Sequence, residues 1–171
     1  MSTIDSAAKR GIASRMSDDE LSTHALAIIS FIYNRVIAGA APALRKRIGL
    51  SLTEARIVLH VGAAEWNTAN ELARNLALDK AAISRAVARL IELGLMVSER
   101  DPQHAGRNLL KLTDAGRVRS RQIEFFTFAR EDYLLNVLTD REQRQFLESL
   151  QKILTNVEVV NELVAQGRFW E

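Results

Sequence analysis

The segment from Leu78 to Asp101 reads LDKAAISRAVARLIELGLMVSERD and decides the fold. It begins as a helix whose apolar residues recur at helical spacing, the pattern of a helix that faces a core. This stripe consists of Ile83, Val87, Leu90 and Ile91. The other face carries Lys80, Ser84, Arg85 and Arg89, with alanine between them. A merely solvated face more often mixes glutamate with lysine. The pattern therefore favours a face that approaches an anionic partner closely.

The sequence on either side predicts the rest of a winged helix-turn-helix. The capping box SLTE (51–54) opens a helix that runs to about residue 64, and Thr68 caps a third helix over ANELARNLA. After the quoted helix, the runs LMVSER (95–100) and NLLKLT (108–113) flank the turn sequence DPQHAG, which predicts a β-hairpin. Two short helices, a tight turn and a hairpin make a winged helix-turn-helix domain over residues 49–113.

Longer helices flank this domain, so we expect a mainly α fold with a small α+β wing. Residues 1–16 are polar and without a period, which predicts a flexible arm. The capping box SDDE (17–20) precedes a helix that reaches about residue 38, where Gly39 and Pro42 are expected to bend or break it before a short piece at 43–48. Further helices are predicted over about 114–137 and from Thr139 to about 165.

These outer helices carry more apolar surface than a small winged-helix domain can cover. The helix at 114–137 has an apolar stripe that includes Phe125 and Tyr133, and the last helix has one that runs from Phe146 to Val160. Exposed apolar patches of that size usually mark an interface. We therefore expect residues 17–48 and 114–171 to form a dimerisation region of a homodimer, whose two-fold symmetry suits palindromic DNA. A monomeric bundle is the alternative.

Positive charge is concentrated in the middle of the chain. Residues 68–121 hold 10 basic and 6 acidic side chains, whereas residues 122–171 hold 5 and 9. A polyanion would dock where the basic residues are, and duplex DNA is the polyanion that a winged helix-turn-helix suits. The expected DNA contacts are Thr68, Lys80, Ala81, Ser84, Arg85, Arg89, Arg100 and Arg107.

The stretch TANELARNLALDKAAISRAVARLIELGLMVSERDPQHAGRNLLKLTDAG resembles the MarR family of bacterial transcription regulators. The matching elements are Glu71-Leu72-Ala73, Leu78-Asp79, Ile83-Ser84-Arg85, Leu90, Gly94-Leu95, Arg100-Asp101-Pro102, Leu112-Thr113 and Gly116. The likeness covers about residues 20–165 and implies a homodimeric repressor that a small aromatic or phenolic ligand can release from DNA.

One wing element departs from the family pattern. The family usually has Asp-x-Arg before the second wing strand, where this chain reads His104-Ala105-Gly106-Arg107. Arg107 is then the wing-tip arginine, and Asp101 is the nearest carboxylate that can hold it. Without the usual brace, we expect the Arg107 side chain to be mobile when no DNA is bound.

The sequence gives little support to other functions. It contains no cysteine, and its three histidines lack the spacing of a metal site, so we expect neither a metal nor a cofactor. No nucleophile elbow or phosphate-binding glycine loop indicates an enzyme. No run of about 18 apolar residues predicts a membrane span, and no secretion signal opens the chain, so we expect a cytoplasmic location.

A ligand site is harder to place. The resemblance implies a pocket for an aromatic carboxylate or a phenol, and its candidate residues are His24, Tyr33, Arg56 and His60, with Trp66 as a possible wall. Each is also an ordinary packed or surface residue in the competing interpretation. The alternative function for the whole chain is a winged-helix dimer that binds a small molecule or a protein and has lost sequence-specific DNA binding.

Overall fold

The computed structural model describes residues 23–64, 67–104 and 106–170. The arm at 1–16, the capping box at 17–20 and Trp66 lie outside these residues. Six described helices and two strands follow one another along the chain: α1 (Ala25–Ile48), α2 (Leu52–Ala63), α3 (Ala69–Asn75), α4 (Lys80–Glu92), β1 (Met96–Arg100), β2 (Asn108–Leu112), α5 (Asp114–Leu135) and α6 (Asp140–Ala165). The chain divides into two compact units after Ile123, within α5.

The first unit has its core between α2, α3, α4 and the hairpin. Its largest wholly buried side chains include Leu50, Ile57, Leu72, Ile83 and Met96. Capping boxes begin α2 and α3, because in each helix the first cap residue and the glutamate three positions later bond to each other's backbone N–H. The helix-turn-helix predicted from the sequence is therefore present. Each of its helices begins and ends within two residues of the expected position.

The predicted wing is also present. Strands β1 and β2 pair antiparallel, from Met96 opposite Leu112 to Arg100 opposite Asn108. The backbone N–H of Leu110 donates to the Asn67 carbonyl at 2.7 Å, which attaches the segment before α3 to the hairpin. The wing is thus tied to the start of α3 as well as to the end of α4.

Helix α1 differs from the prediction, because it is continuous through Gly39 and Pro42. A proline removes one helical hydrogen bond without necessarily ending the helix, and here the end comes at Gly49, whose positive φ lets its N–H cap Leu44 and Arg45. By length and composition alone, α1 is also apolar enough to cross a membrane, contrary to our expectation for this chain. Only Ala40 and Leu44 of this helix are buried, so burial in a core does not account for its apolar composition.

Exposed apolar side chains cover the outer helices. The 26-residue helix α6 has no buried residue, although Phe146, Leu147, Ile153, Leu154, Val157, Val160 and Val164 repeat along it. In the first unit, the N-terminal half of α1 exposes Leu26, Ile28, Ile29, Phe31, Ile32 and Tyr33. The stripes that the sequence predicted for these helices therefore exist, and the described residues leave them exposed.

Gly116 provides a test of how α5 meets the hairpin. A Cβ at this position would collide with the Leu95 carbonyl oxygen, which belongs to the backbone and cannot move aside cheaply. We predict that Gly116→Ala lowers the free energy of unfolding by at least about 2 kcal/mol, measured by urea denaturation.

The matched control for this variant is Gly39→Ala. An added Cβ meets nothing within 4 Å there, and the position lies inside a helix. Alanine should raise the free energy of unfolding by about 0.5–1 kcal/mol. Equal effects of the two variants would contradict the close approach at Gly116.

Candidate nucleic-acid interface

Helix α4 has one buried face and one exposed face. Ile83, Ala86, Val87 and Leu90 are buried, whereas Lys80, Ala81, Ser84, Arg85 and Arg89 are exposed. Asp79 begins the helix by accepting a hydrogen bond from the Ala82 N–H at 2.8 Å. The predicted apolar stripe of α4 is wrong at Ile91, which is 39% exposed. Ala86 is buried in the core instead. The polar face itself is directed to solvent, as predicted.

An open groove of about 940 Å³ joins the beginning of α4 to α3 and the wing. Its lining includes Arg74, Lys80 and Arg107, which are cationic, and Glu71 and Asp79, which are anionic. Of the expected DNA contacts, Thr68, Lys80 and Arg107 line this groove.

Arg89 is less available than the sequence indicated. Its guanidinium lies 2.8 Å from the carboxylate of Glu92, one turn further along α4. The hydrogen bond from Arg89 to Glu92 and the attraction of that carboxylate raise the pKa of Arg89 above its usual range. Arg89 must exchange this partner, or share it, before it can contact DNA.

Thr68 has a clear structural role. Its hydroxyl donates to Glu71 Oε2 at 2.8 Å and accepts the Glu71 N–H at 3.2 Å, and the residue is only 9% exposed. Both functions of the hydroxyl are thus used in capping α3. A direct contact between Thr68 and DNA stays a prediction, and the single donor of its hydroxyl is already used.

Arg107 has two carboxylate partners, so the expectation that it lacks a brace is wrong. Its Nη2 donates to Glu71 Oε1 at 3.1 Å, and its Nε lies 3.4 Å from Asp101 Oδ2. The Nε contact is an ion pair without hydrogen-bond geometry, since this buried nitrogen has no hydrogen-bond partner among the described residues. Asp101 was expected beside Arg107, whereas Glu71 was not, because 36 residues separate it from the arginine.

The turn between the strands is organised around Asp101. Its N–H bonds the Arg107 carbonyl at 2.9 Å, and its carboxylate accepts the Gln103 N–H at 2.8 Å. His104 Nδ1 lies 3.3 Å from the same carboxylate. These bonds close the wing turn, with Gly106 at a positive φ of 85°.

Both carboxylates beside Arg107 are ionised at neutral pH. The pKa of Glu71 is lowered mainly by the hydrogen bonds from the Thr68 hydroxyl and N–H, and further by the charge of Arg107. The pKa of Asp101 is lowered mainly by the hydrogen bond from the Gln103 N–H, with the charges of His104 and Arg107 assisting. Arg107 is therefore held by two negative charges.

The remaining wing contact that we expected, Arg100, lies exposed at the end of β1 opposite Asn108. On the same strand, Glu99 accepts a hydrogen bond from Lys111 of β2 at 2.9 Å. Arg100 thus adds positive charge to the wing, whereas Lys111 is already paired with Glu99.

Two of the four candidate ligand residues already have partners among the described residues, and their role in a ligand site stays a prediction. Arg56 donates to the Leu76 carbonyl at 3.0 Å, and His60 Nε2 lies 3.0 Å from the Asn75 side-chain amide, so both residues fasten α2 to the end of α3. His24 and Tyr33 are exposed on or before α1. Within residues 23–64, 67–104 and 106–170, no cluster of three or more histidine, aspartate or glutamate side chains is placed to hold a metal ion.

Sequence reasoning missed two acidic residues at this interface, Glu71 and Glu92. Glu71 was visible as the fourth residue of the capping sequence TANE, but that role gave no hint of a second partner in the wing. Glu92 lies three residues after Arg89, which is a spacing that brings side chains together on a helix. That signal was sufficient to predict the pair.

Comparisons with known proteins agree with this geometry. A model of the MarR family matches residues 48–105. The MarR/EmrR family transcriptional regulator from Acinetobacter sp. ADP1 is 26% identical, with a TM-score of 0.73 over 81% of this chain and 97% of that one. The S. aureus MepR–DNA complex is 19% identical, with a TM-score of 0.67, and the match covers 76% of this chain and 95% of that chain. The PcaV regulator of Streptomyces coelicolor, in complex with its natural ligand, is 20% identical, with a TM-score of 0.65. The match covers 84% of this chain and 98% of that chain. No curated protein matches the sequence.

The helix-turn-helix, the two-stranded wing and the flanking helices define a winged-helix protein. Residues 48–105 match the model of the MarR family, and the fold is the one seen in solved structures of MarR-family transcriptional regulators.

The ionised state of Glu71 predicts a pH dependence of stability. Its pKa is lower in the folded protein than in the unfolded chain, so its stabilising contribution is present above the ordinary value of 4.5 and is lost as the pH falls through the folded pKa. Glu71→Gln should therefore lower the free energy of unfolding at pH 7, and the difference from wild type should shrink as the medium is acidified.

Urea denaturation at a series of pH values, at one protein concentration, measures this difference. Protonated glutamate resembles glutamine, so the two proteins should converge at low pH. A difference that is constant from pH 7 to pH 3 would show that the charge of Glu71 contributes nothing.

Proposed function

We propose that this protein is a homodimeric repressor that binds a palindromic DNA site, with the exposed face of α4 in the major groove and the wing beside it. Arg85 and Ser84 lie in the middle of that face and are suited to base edges, whereas Lys80 and Arg89 are suited to phosphates. A repressor must reach the chromosome, which supports a cytoplasmic location in a bacterium.

The observation that carries this proposal is the separation of the two faces of α4. Ile83 and Leu90 are wholly buried, so the helix cannot rotate about its axis, and the opposite face is held in solvent. That face carries small and cationic side chains, which allow a helix to approach the floor of a groove closely. It also borders the groove that reaches Arg107.

The uncovered apolar helices support the homodimer. Helix α6 exposes large apolar side chains along its 26 residues, and the N-terminal half of α1 also exposes them. Apolar surface of this extent is unfavourable in water, and a second copy of the chain is the simplest partner that covers it. Each copy then presents one α4, which matches two half-sites related by two-fold symmetry.

A replacement of Arg85 tests the base-reading role. We predict that Arg85→Ala weakens binding to the preferred duplex by about 1–3 kcal/mol and relaxes the preference at one position in each half-site. The measurement is selection from a random duplex pool, followed by titration of the selected site. The half-sites should be centred about 34–36 Å apart or at a multiple of that distance.

The matched control for Arg85 is Arg144→Ala, which removes an exposed arginine from α6. It should leave the selected sequence unchanged. An equal loss of affinity on all sequences for Arg85→Ala would reduce Arg85 to a phosphate contact.

Light scattering tests the dimer. At micromolar concentration, the full chain should have about twice the 19.1 kDa mass of one copy. Replacing the neighbouring α6 residues Leu154 and Val157 with aspartate should yield monomers, because both side chains are exposed within the chain and contribute little to its own core. A monomeric wild type with a full helical circular dichroism signal would contradict the proposal.

The wing prediction concerns Arg107. An arginine that enters a narrow minor groove meets the strongest negative potential at A·T-rich sequence. Arg107→Ala should therefore weaken binding more when A·T-rich flanks adjoin the half-sites than when G·C-rich flanks do, in titrations at one fixed salt concentration. Equal losses on both flanks would exclude minor-groove reading.

The alternative function, a dimer that binds only a small molecule or a protein, predicts that no duplex is selected from the random pool. Release by an aromatic or phenolic ligand stays a separate prediction. Such a ligand has to compete with existing hydrogen bonds if it uses Arg56 or His60, since both already bind the end of α3.

A further inference from the structure

We propose that Glu71 is the positioning residue of the wing arginine, a carboxylate in the helix-turn-helix that holds Arg107 where it reads the sequence beside each half-site. The inference deepens the proposed DNA-binding function and rests on it. It assigns specificity to a residue that need not contact DNA itself.

The two oxygens of the Glu71 carboxylate serve different elements. Oε2 accepts the Thr68 N–H at 2.7 Å and the Thr68 hydroxyl at 2.8 Å, so it is fixed at the beginning of α3. Oε1 accepts from Arg107 Nη2 at 3.1 Å. Because the first oxygen is fixed by the cap, the second has a defined position relative to the helix-turn-helix. Glutamine has one carbonyl oxygen and can keep the cap, but it presents an amide N–H₂ to the arginine instead of an acceptor.

The geometry indicates that Glu71 positions Arg107 for DNA and does not withhold it from DNA. A guanidinium has five N–H donors, and the contacts of the described residues use only Nη2 and Nε. The Nη1 group is left for DNA, and the side chain is 41% exposed at the edge of the groove. Arg107 can thus contact a nucleic acid without leaving Glu71.

Asp101 does not replace Glu71 in this role. Its carboxylate lies 3.4 Å from Nε without hydrogen-bond geometry, and it is shared with His104 and with the N–H of Gln103. Asp101 also belongs to the same turn as Arg107, so it moves with the wing. Glu71 alone among these partners connects the arginine to a helix outside the wing.

The brace should act by reducing the conformational entropy that Arg107 loses on binding. Long flexible side chains lose much rotamer freedom when they are ordered, and a side chain that is already ordered loses less. Without Glu71, we expect the ratio of affinities for A·T-flanked over G·C-flanked duplexes to fall by about threefold to tenfold. A change of this size corresponds to part of the side-chain entropy that an arginine can lose when it is ordered.

The first experiment uses the free protein. Nitrogen-15 relaxation of the Arg107 Nε–H should report a rigid side chain in the wild type and a mobile one in Glu71→Gln. The control is Glu142→Gln, because Thr139 and Glu142 form the same three capping hydrogen bonds at the beginning of α6, far along the chain from the wing. Equal mobility of Arg107 in the wild type and in Glu71→Gln overturns the proposal.

The second experiment measures the ratio of affinities for A·T-flanked and G·C-flanked duplexes. Glu71→Gln should lower this ratio, and Glu71→Gln combined with Arg107→Ala should give the same ratio as Arg107→Ala alone. Glu99→Gln is the control for loss of a wing carboxylate, since Glu99 pairs with Lys111 and not with Arg107. It should leave the ratio unchanged.

Three outcomes contradict the inference: a higher ratio for Glu71→Gln, independent effects of the two substitutions, or the same fall in the ratio for Glu99→Gln. If the wild type binds no duplex at all, the proposed function fails and the specificity role fails with it, whereas the relaxation result still decides whether Glu71 holds the arginine.

Discussion

The interface depends on the burial of the apolar face of α4. Ile83 and Leu90 have no exposed surface, and they pack in a core that also contains Ile57, Leu72 and Met96. Turning the helix would bring these side chains into water and bury Lys80 or Arg85 without a partner, which costs far more than any contact on the polar face returns. The position of the basic face is therefore a consequence of the core, and the same core holds α2, α3 and the hairpin in place.

A second constraint links the wing to this core. The hairpin alone is a two-stranded sheet, which is marginally stable by itself in water. Here it is attached at Leu110 through the Asn67 carbonyl and at Arg107 through Glu71. The first attachment fixes the strands, and the second fixes the side chain at the far end. The wing arginine and the basic face of α4 consequently have a defined separation. A protein that contacts two grooves of one duplex requires such a fixed distance.

Much of this could be predicted from the sequence, because the informative signals are local. The capping boxes at Ser51 and Thr139 and the cap at Thr68 placed three helix beginnings correctly, and the period of the apolar residues identified the buried side of α4 except at Ile91. Pro42 misled the prediction, since a proline signals a break that the rest of α1 overrides. The partners of Arg107 could not be derived, because the contact with Glu71 joins residues 36 apart and exists only once the hairpin is folded against α3. The partners of Arg56 and His60 at the end of α3 could not be derived either, because no spacing rule relates these residues. A ligand role for them stays a prediction.

The most direct test of the account is site-specific cross-linking from α4, which the absence of cysteine in the chain makes practicable. Ser84→Cys places one thiol in the middle of the exposed face, and Ser149→Cys places one on the exposed side of α6 as the matched control. Each variant is mixed with the selected duplex, in which a base at successive positions carries a tethered mixed disulfide, so that attack by the cysteine thiolate forms the cross-link and releases the small thiol. The account predicts disulfide formation from Ser84→Cys at major-groove positions within each half-site, and none from Ser149→Cys. No cross-link from Ser84→Cys, or equal cross-linking from both variants, would contradict the claim that this face of α4 reads DNA.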